Sequence, residues 1–140
     1  MENFDDIKVG LTLTLQKKVG VEDTALNYGS GKVENLLATV RLVAFMIEAS
    51  AQLIDPHLPE GYGSIGHHLE VDHFKPTMIG ATVTVEVKVS SIESGKYVIS
   101  MRAYDEYGQI GVGKNTRSIV SLEKLMHKAE ERERETTIEG

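Results

Sequence analysis

The stretch that decides the fold runs from residue 39 to residue 54 and reads Thr39-Val40-Arg41-Leu42-Val43-Ala44-Phe45-Met46-Ile47-Glu48-Ala49-Ser50-Ala51-Gln52-Leu53-Ile54. Its apolar residues occur on nearly every side, which is typical of a buried helix. Thr39 is expected to be the N-cap of this helix, and Asp55-Pro56 to end it, because the residue before a proline avoids helical geometry. One face is defined by apolar residues at spacings of three and four: Val40, Val43, Ala44, Ile47, Ala51 and Ile54.

Strand-like alternation of apolar and polar residues lies on both sides of this helix. One stretch, Leu11 to Val19, precedes it, and four follow it: Ser64 to Phe74, Ala81 to Ser91, Tyr97 to Tyr107 and Ile110 to Leu122. An early strand, one long helix and four antiparallel strands predict the α+β class. A curved antiparallel sheet wrapped around the helix, the hot-dog fold, buries such a helix economically, although another one-helix α+β sheet is compatible with the same pattern.

Length and composition restrict the class of protein. The chain has 140 residues, enough for one domain, which we place at residues 1–125 and follow with a charged tail at 126–140 that is expected to be disordered. The absence of cysteine excludes disulfides and thiolate nucleophiles and fits a reducing compartment. The acidic N-terminus and the lack of a long apolar run indicate a cytoplasmic protein without a membrane partner. A net charge of −6 argues against general nucleic-acid binding.

His73 is the first candidate for acid–base chemistry. It ends a predicted strand on the face shared with Ile65, Leu69 and Val71. An imidazole with an ordinary pKa near 6.5 can take up or release a proton at neutral pH. A histidine on an apolar face is, however, more often a hydrogen-bonded structural residue, so the strand pattern leaves both roles open.

Glu48 and Thr39 are the other candidates on the helix. Glu48 either orients a water or a histidine, or is a solvated or ion-paired residue at the margin of the buried stripe, with Arg41 seven residues before it on the same side. Thr39 could be a nucleophile or a hydrogen-bond donor, although capping alone explains it. The amides of the first helical turn can hold developing negative charge. The chain contains no spaced set of metal ligands, so no metal is expected.

Several short segments, in order, resemble the fluoroacetyl-CoA thioesterase-like family of hot-dog proteins. The likeness covers about residues 19 to 125 and rests on these segments: Ala25-Leu26-Asn27-Tyr28-Gly29-Ser30-Gly31, Leu37-Ala38-Thr39, Met46-Ile47-Glu48-Ala49, Gly63-Ser64-Ile65-Gly66, Val71-Asp72-His73, Ile110-Gly111-Val112-Gly113-Lys114-Asn115-Thr116-Arg117 and Leu122-Glu123-Lys124. No single segment is specific, and the order and spacing carry the resemblance.

The resemblance implies a set of functional residues. A threonine at the helix start, a glutamate within the helix and a histidine on the next strand form the family's catalytic set, and Thr39 and His73 match the first and third. Counting without gaps from the threonine places the family's glutamate at Ile47, with Glu48 as its neighbour. Gly66 resembles the glycine beside the acyl group, and Arg117 an arginine near the CoA side. The acidic residue that often precedes this arginine in the family is a threonine here.

The function implied by the resemblance is hydrolysis of a small or medium acyl-CoA by a homodimer, with a site at each end of the interface. Dimers that pair into tetramers are also compatible. No cofactor is needed, since CoA is part of the substrate. Two alternatives remain: a non-hydrolytic acyl-CoA binder or sensor, indicated by Ile47 at the position of the acid, and a thioester dehydratase or hydratase. In acyl-carrier dehydratases the histidine precedes the helix, whereas His73 follows it.

Overall fold

The structure, a computed structural model, describes the backbone of residues 4–139 and the side chains of residues 4–135. Its helices and strands, in chain order, are β1 (Thr12–Lys18), α1 (Thr39–Ile54), β2 (Tyr62–His73), β3 (Thr82–Glu93), β4 (Lys96–Asp105), β5 (Gly108–Ser121) and α2 (Leu122–Glu139). The strands form one curved antiparallel sheet in the order β1-β3-β4-β5-β2, packed on α1. The predicted α+β fold, with a long central helix wrapped by the sheet, is confirmed.

The face of α1 that packs on the sheet is not the one singled out from the sequence. The buried residues are Leu42, Phe45, Met46, Ala49, Ser50, Leu53 and Ile54. All of them except Ser50 belong to one hydrophobic core with the inward side chains of β3 and β4. Of the predicted face, Val40 is 50% exposed and Ile47 38% exposed, whereas Ile54 is fully buried. Both stripes have helical spacing, so the periodicity does not decide which of them meets the sheet.

The start of α1 also differs from the prediction. The N-cap is Ala38, whose carbonyl accepts hydrogen bonds from the amides of Arg41 (3.0 Å) and Leu42 (3.1 Å). Thr39 is the first helical residue and makes no capping bond. Its predicted capping role is therefore wrong, because the chain turns into the helix one residue earlier, and its hydroxyl is available for another partner.

A buried carboxylate ties the first turn of α1 to the preceding loop. Asp23 is 3% exposed, and one of its oxygens lies 2.8 Å from the Nε of Arg41 while the other accepts the Gly20 amide at 2.9 Å. The carbonyl of Asp23 accepts the amide of Ala38 at 2.9 Å. Hydrogen bonding to Asp23 raises the pKa of Arg41. This short segment therefore fixes where the helix begins.

A β-bulge interrupts β2 at His67. Gly66 pairs with Arg117 of β5, and the next paired residue is His68, opposite Thr116. His67 is an extra residue in this ladder, and the alternation of side chains along β2 changes phase there.

The phase change corrects the faces predicted for this strand. The sequence pattern predicts Ile65 on the same face as His73. Directly paired residues point to the same side of a sheet, so Gly66 shares the face of Arg117. Beyond the bulge His73 pairs with Gly111, an even number of residues from Arg117, and therefore lies on that face too. Gly66, rather than Ile65, is on the inner side with His73.

Helical backbone covers most of the segment that the sequence analysis assigns to a charged tail. Residues 122–139 form α2, so the domain boundary predicted at residue 125 falls inside a helix. Glu, Lys and Arg are good helix formers, and His127 and Glu131 form a pair four residues apart with Nε2 and Oε1 at 3.0 Å. Within residues 4–139, neither α2 nor any other helix has the length and apolar character needed to cross a bilayer.

The contacts of Asp23 generate a stability prediction. Asp23→Ala leaves the Gly20 amide and the Arg41 guanidinium without their acceptor, and we expect it to lower the free energy of unfolding by about 2 kcal/mol. Urea denaturation followed by circular dichroism measures this loss. Glu22→Ala, at an exposed neighbouring carboxylate, is the matched control and should change it by less than about 0.5 kcal/mol. Equal effects of the two substitutions would contradict the anchoring role.

Candidate active site

Two of the predicted site residues meet where α1 begins. Thr39 is the first residue of α1 and His73 the last residue of β2. The distance between Thr39 Oγ1 and His73 Nδ1 is 2.7 Å, within the range of a nucleophile and its base. The thirty-three residues between them form the rest of α1, a turn and most of β2, which runs back along the helix and returns the chain to its start.

The surroundings of His73 favour its neutral form. Burial lowers the pKa of His73 below its ordinary value of 6.5, and a hydrogen bond with the Lys75 backbone opposes this only in part. Near pH 7 the ring is therefore neutral and able to accept a proton. Its Nε2 is buried, and residues 4–139 offer it no hydrogen-bond partner.

The Thr39–His73 pair opens on a pocket of about 300 Å³. Most of its walls are apolar: Ala25, Val33, Leu36, Leu37, Ala38, Phe74 and Pro76, with Lys75 at the margin. Within the described part of the chain the amides of Thr39 and Val40 have no hydrogen-bond partner. They lie at the positive end of the α1 dipole, where a developing oxyanion would be stabilised.

Gly66 and Arg117 lie together in a second pocket, of about 520 Å³. Its lining consists of Ile47, Ser64, Ile65, Gly66, His67, His68, Leu69, Asn115 and Arg117. Arg117 is 6% exposed, and its Nε and Nη2 donate to Ser64 Oγ (2.9 Å) and to the Ser64 carbonyl (2.7 Å). Burial lowers the pKa of Arg117 and the charge of Asp55 opposes this.

The lack of a side chain at Gly66 leaves room between two polar groups. A Cβ built on Gly66 would lie 3.4 Å from Asn115 Oδ1 and 3.5 Å from Arg117 Nη1. Both groups therefore converge on the space above this glycine. Neither Asn115 nor Ser64 was assigned a role from the sequence. For Ser64 the reason is the bulge at His67, because strict alternation along β2 places Ser64 on the face opposite His73.

Glu48 lies elsewhere. Its carboxylate is 2.9 Å from Lys17 Nζ, and both side chains are partly exposed. Glu48 lies nine positions after Thr39, which is about 13 Å along the helix and half a turn around it. Of the two roles predicted for Glu48, the structure shows the ion pair, formed with Lys17 of β1. It does not bring Glu48 to His73. Ile47, the position that the resemblance assigns to the acid, lines the pocket of Arg117 instead.

The candidate residues therefore form two groups at opposite ends of the protomer. Ser64, near the start of β2, contacts Asp55 at the C-terminal end of α1, whereas His73 contacts Thr39 at the N-terminal end. Gly66 and His73 are seven residues apart on an extended strand, or roughly 20 Å. Among the described residues, no group of three or more His, Asp or Glu side chains is arranged to hold a metal ion.

The sheet wrapped around α1, with an imidazole–hydroxyl pair where that helix begins, defines a hot-dog protein with an acid–base site. The family model for the fluoroacetyl-CoA-specific thioesterase matches residues 19–123. The fluoroacetyl-CoA thioesterase of Streptantibioticus cattleyicolor is 32% identical over 97 residues, which are 69% of this chain and 70% of that protein. The chain belongs to the fluoroacetyl-CoA-specific thioesterase family.

Solved structures agree with this assignment. A hot-dog-like protein from Thermanaerovibrio acidaminovorans superposes with a TM-score of 0.87 at 32% identity, covering 94% of this chain and 97% of that one. A mutant of the fluoroacetyl-CoA-specific thioesterase FlK, crystallised with fluoroacetate and CoA, gives a TM-score of 0.79 at 28% identity, covering 85% and 99%. The resemblance and the hot-dog fold predicted from the sequence are both confirmed.

The lowered pKa of His73 predicts how stability changes with pH. Between the folded-state pKa and 6.5 the unfolded chain binds more protons at this residue than the folded one, so the free energy of unfolding decreases as pH falls through that window. His73→Gln removes this titration and should lose less stability between pH 7 and pH 5 than the wild type. Urea midpoints at several pH values test this, and parallel curves for the two proteins would contradict a buried, neutral His73.

Proposed function

We propose that this protein hydrolyses the thioester of a small or medium acyl-CoA. The observation that carries the proposal is the 2.7 Å contact between Thr39 Oγ1 and His73 Nδ1, beside an apolar pocket and the first amides of α1. Family membership supports the reaction class, and the related enzyme crystallised with fluoroacetate and CoA supports CoA as the thiol carrier. The proposed reaction needs no metal or redox cofactor, and we retain the expectation of a cytoplasmic enzyme.

His73 acts as the general base in this proposal. Its neutral Nδ1 accepts the proton of the attacking hydroxyl, which is either Thr39 Oγ1 or a water held beside it. The attacking oxygen bonds to the thioester carbon, and the helix-start amides hold the negative carbonyl oxygen. When the carbon–sulfur bond breaks, the CoA thiolate takes the proton back from His73. In the Thr39 route the acyl group is then an ester of Thr39. His73 takes a proton from a water that attacks this ester, and as the bond from the acyl carbon to Thr39 Oγ1 breaks, His73 returns the proton to that oxygen and the acid is released.

A homodimer accounts for the separation of the two residue groups. If Gly66 and Arg117 contact the same thioester as His73, the distance of roughly 20 Å within one protomer has to be bridged. Two copies with antiparallel α1 helices bring the Thr39 end of one beside the Arg117 end of the other. Position 47 lies about 12 Å along α1 from Thr39, and the same pairing places it nearer to His73 of the partner subunit.

The surface of the protomer is suited to this pairing. Val40 and Ile47, 50% and 38% exposed, form an apolar stripe on α1, and Leu69, 38% exposed, lies beside it on the edge strand β2. Apolar stripes that remain accessible on a helix next to a sheet edge are typical of interfaces between subunits. Further pairing of dimers into tetramers is compatible with the same surface.

Ile47 favours a second candidate function, a non-hydrolytic acyl-CoA binder. Position 47 carries no carboxylate and Glu48 is bound to Lys17, so neither of these two positions supplies an acid to orient His73 or a water near it. The pocket and the Arg117 group would then bind a CoA ester without turnover.

Release of CoA, followed with Ellman's reagent over a panel of acyl-CoA esters, tests the proposal. We expect His73→Ala to lower kcat by about 100-fold or more, because the general base is lost. Thr39→Ser should retain most of the activity, since it keeps the hydroxyl. Thr39→Ala separates the two routes, because only attack by water survives it. His127→Ala, at an exposed histidine of α2 that lines neither the pocket of Thr39 and His73 nor that of Arg117, is the matched control.

The outcomes distinguish the candidate functions. Equal background rates for the wild type and His73→Ala would eliminate hydrolysis. Thermal stabilisation by CoA esters without turnover would favour the binder, and a gain of turnover in Ile47→Glu would assign the difference to the missing carboxylate. A change in enoyl thioester absorbance without free thiol would indicate a hydratase instead.

The dimer generates a separate prediction. Val40→Arg places a charge on the apolar stripe of α1, and we expect the dimer to dissociate and the activity per protomer to fall at least tenfold, because a buried unpaired charge costs several kcal/mol. Sedimentation velocity measures the oligomeric state. Tyr107→Arg, at a side chain 92% exposed in the β4–β5 turn, is the control and should leave the dimer intact. A monomeric wild-type protein with full activity would contradict the shared site.

A further inference from the structure

We propose that Ser64 and Asp55 are positioning residues that hold the Arg117 guanidinium with one nitrogen facing the 520 Å³ pocket. This inference rests on the proposed function, since it takes that pocket as part of the substrate site. Neither residue was singled out by the sequence analysis. The three side chains form a chain of contacts from the end of α1 through β2 to β5.

Asp55 determines the direction of the Ser64 hydroxyl. Its Oδ1 lies 2.6 Å from Ser64 Oγ and 3.0 Å from the Ser64 amide nitrogen. A carboxylate only accepts hydrogen bonds, so the Ser64 hydroxyl proton points to Asp55. The lone pairs of Ser64 Oγ then face Arg117, whose Nε donates to them at 2.9 Å.

Two bonds to the same serine fix the guanidinium plane. Besides the Nε bond, Arg117 Nη2 donates to the Ser64 carbonyl at 2.7 Å. Because the guanidinium is planar, two bonds from adjacent nitrogens define where the third one points. The third nitrogen, Nη1, lies beside the open space above Gly66 and has no hydrogen-bond partner among residues 4–139.

Burial makes this arrangement rigid and makes each partner necessary. Arg117 is 6% exposed and Ser64 9% exposed, so water does not readily replace a lost bond. Asp55 occupies the C-cap of α1, the negative end of the helix dipole, where a carboxylate is disfavoured by about 0.3–1 kcal/mol. Its bonds from Ser64 and the nearby Arg117 charge offset that cost.

A mutant cycle tests the positioning role. The variants are Ser64→Ala, Arg117→Lys and the double mutant, with Ser118→Ala as the control at the adjacent serine of β5 on the other face. Each is assayed for kcat and KM with the best acyl-CoA of the panel, and for binding of S-acetonyl-CoA, a non-hydrolysable thioether, by calorimetry. We expect Ser64→Ala to raise KM and Kd by about tenfold with kcat changed less than about threefold.

The cycle separates positioning from a merely structural role. If Ser64 acts through Arg117, Ser64→Ala has no further effect on Kd in the Arg117→Lys background, and Ser64→Thr, which keeps the hydroxyl, restores near-wild-type binding. An additive effect, or a lowered unfolding midpoint with unchanged Kd, would overturn the proposal. If Ser64→Ala does not fold, Asp55→Asn takes its place in the same cycle and is expected to raise Kd severalfold.

The two proposals fail in different ways. If the wild-type protein binds S-acetonyl-CoA but hydrolyses no ester, the proposed function is wrong, and the positioning of Arg117 by Ser64 and Asp55 is still tested by Kd. If the wild-type protein hydrolyses esters and Ser64→Ala does not change Kd, the positioning role is wrong and the proposed function stands.

Discussion

The hydrogen bond between Thr39 and His73 is the contact on which the candidate site depends. It joins the first residue of α1 to the last residue of β2, and it forms because β2 runs antiparallel to the helix along its whole length. The same return path brings Ser64 to Asp55 at the opposite end. The course of β2 along α1 therefore places two polar centres, the Thr39–His73 and Asp55–Ser64 contacts, at opposite ends of the helix.

Burial then gives each centre its chemical character. The imidazole of His73 loses hydration, which lowers its pKa and keeps it neutral, whereas Arg117 keeps its charge in a buried position because serine and aspartate groups surround it. The loop segment around Asp23 contributes indirectly. By pairing with Arg41 and accepting the Ala38 amide, it sets the residue at which α1 begins, and with it the position of the Thr39 hydroxyl.

The bulge at His67 shows why an accurate strand prediction can still misassign a site. The period-2 pattern identified β2 correctly, and it placed His73 on the inner face. It also placed Ile65 there, since a strict alternation carries no sign of an extra residue. In the structure Gly66 and Arg117 share that face, and the space above the glycine is open between Asn115 and the guanidinium. A single inserted residue thus decides which side chains line the pocket.

The sequence by itself determined the class of fold, the helix from Thr39 to Ile54 and the succession of strands along the chain, because these follow from local periodicity, turn residues and the proline after Asp55. It also led to Thr39 and His73, through the spacing of motifs. Only the tertiary structure decided which stripe of α1 meets the sheet, that Glu48 pairs with Lys17, and that Ser64 and Asp55 contact Arg117. Both stripes of the helix satisfy the same 3.6-residue period, and ion pairs between distant segments depend on strand register and packing, which no local pattern encodes.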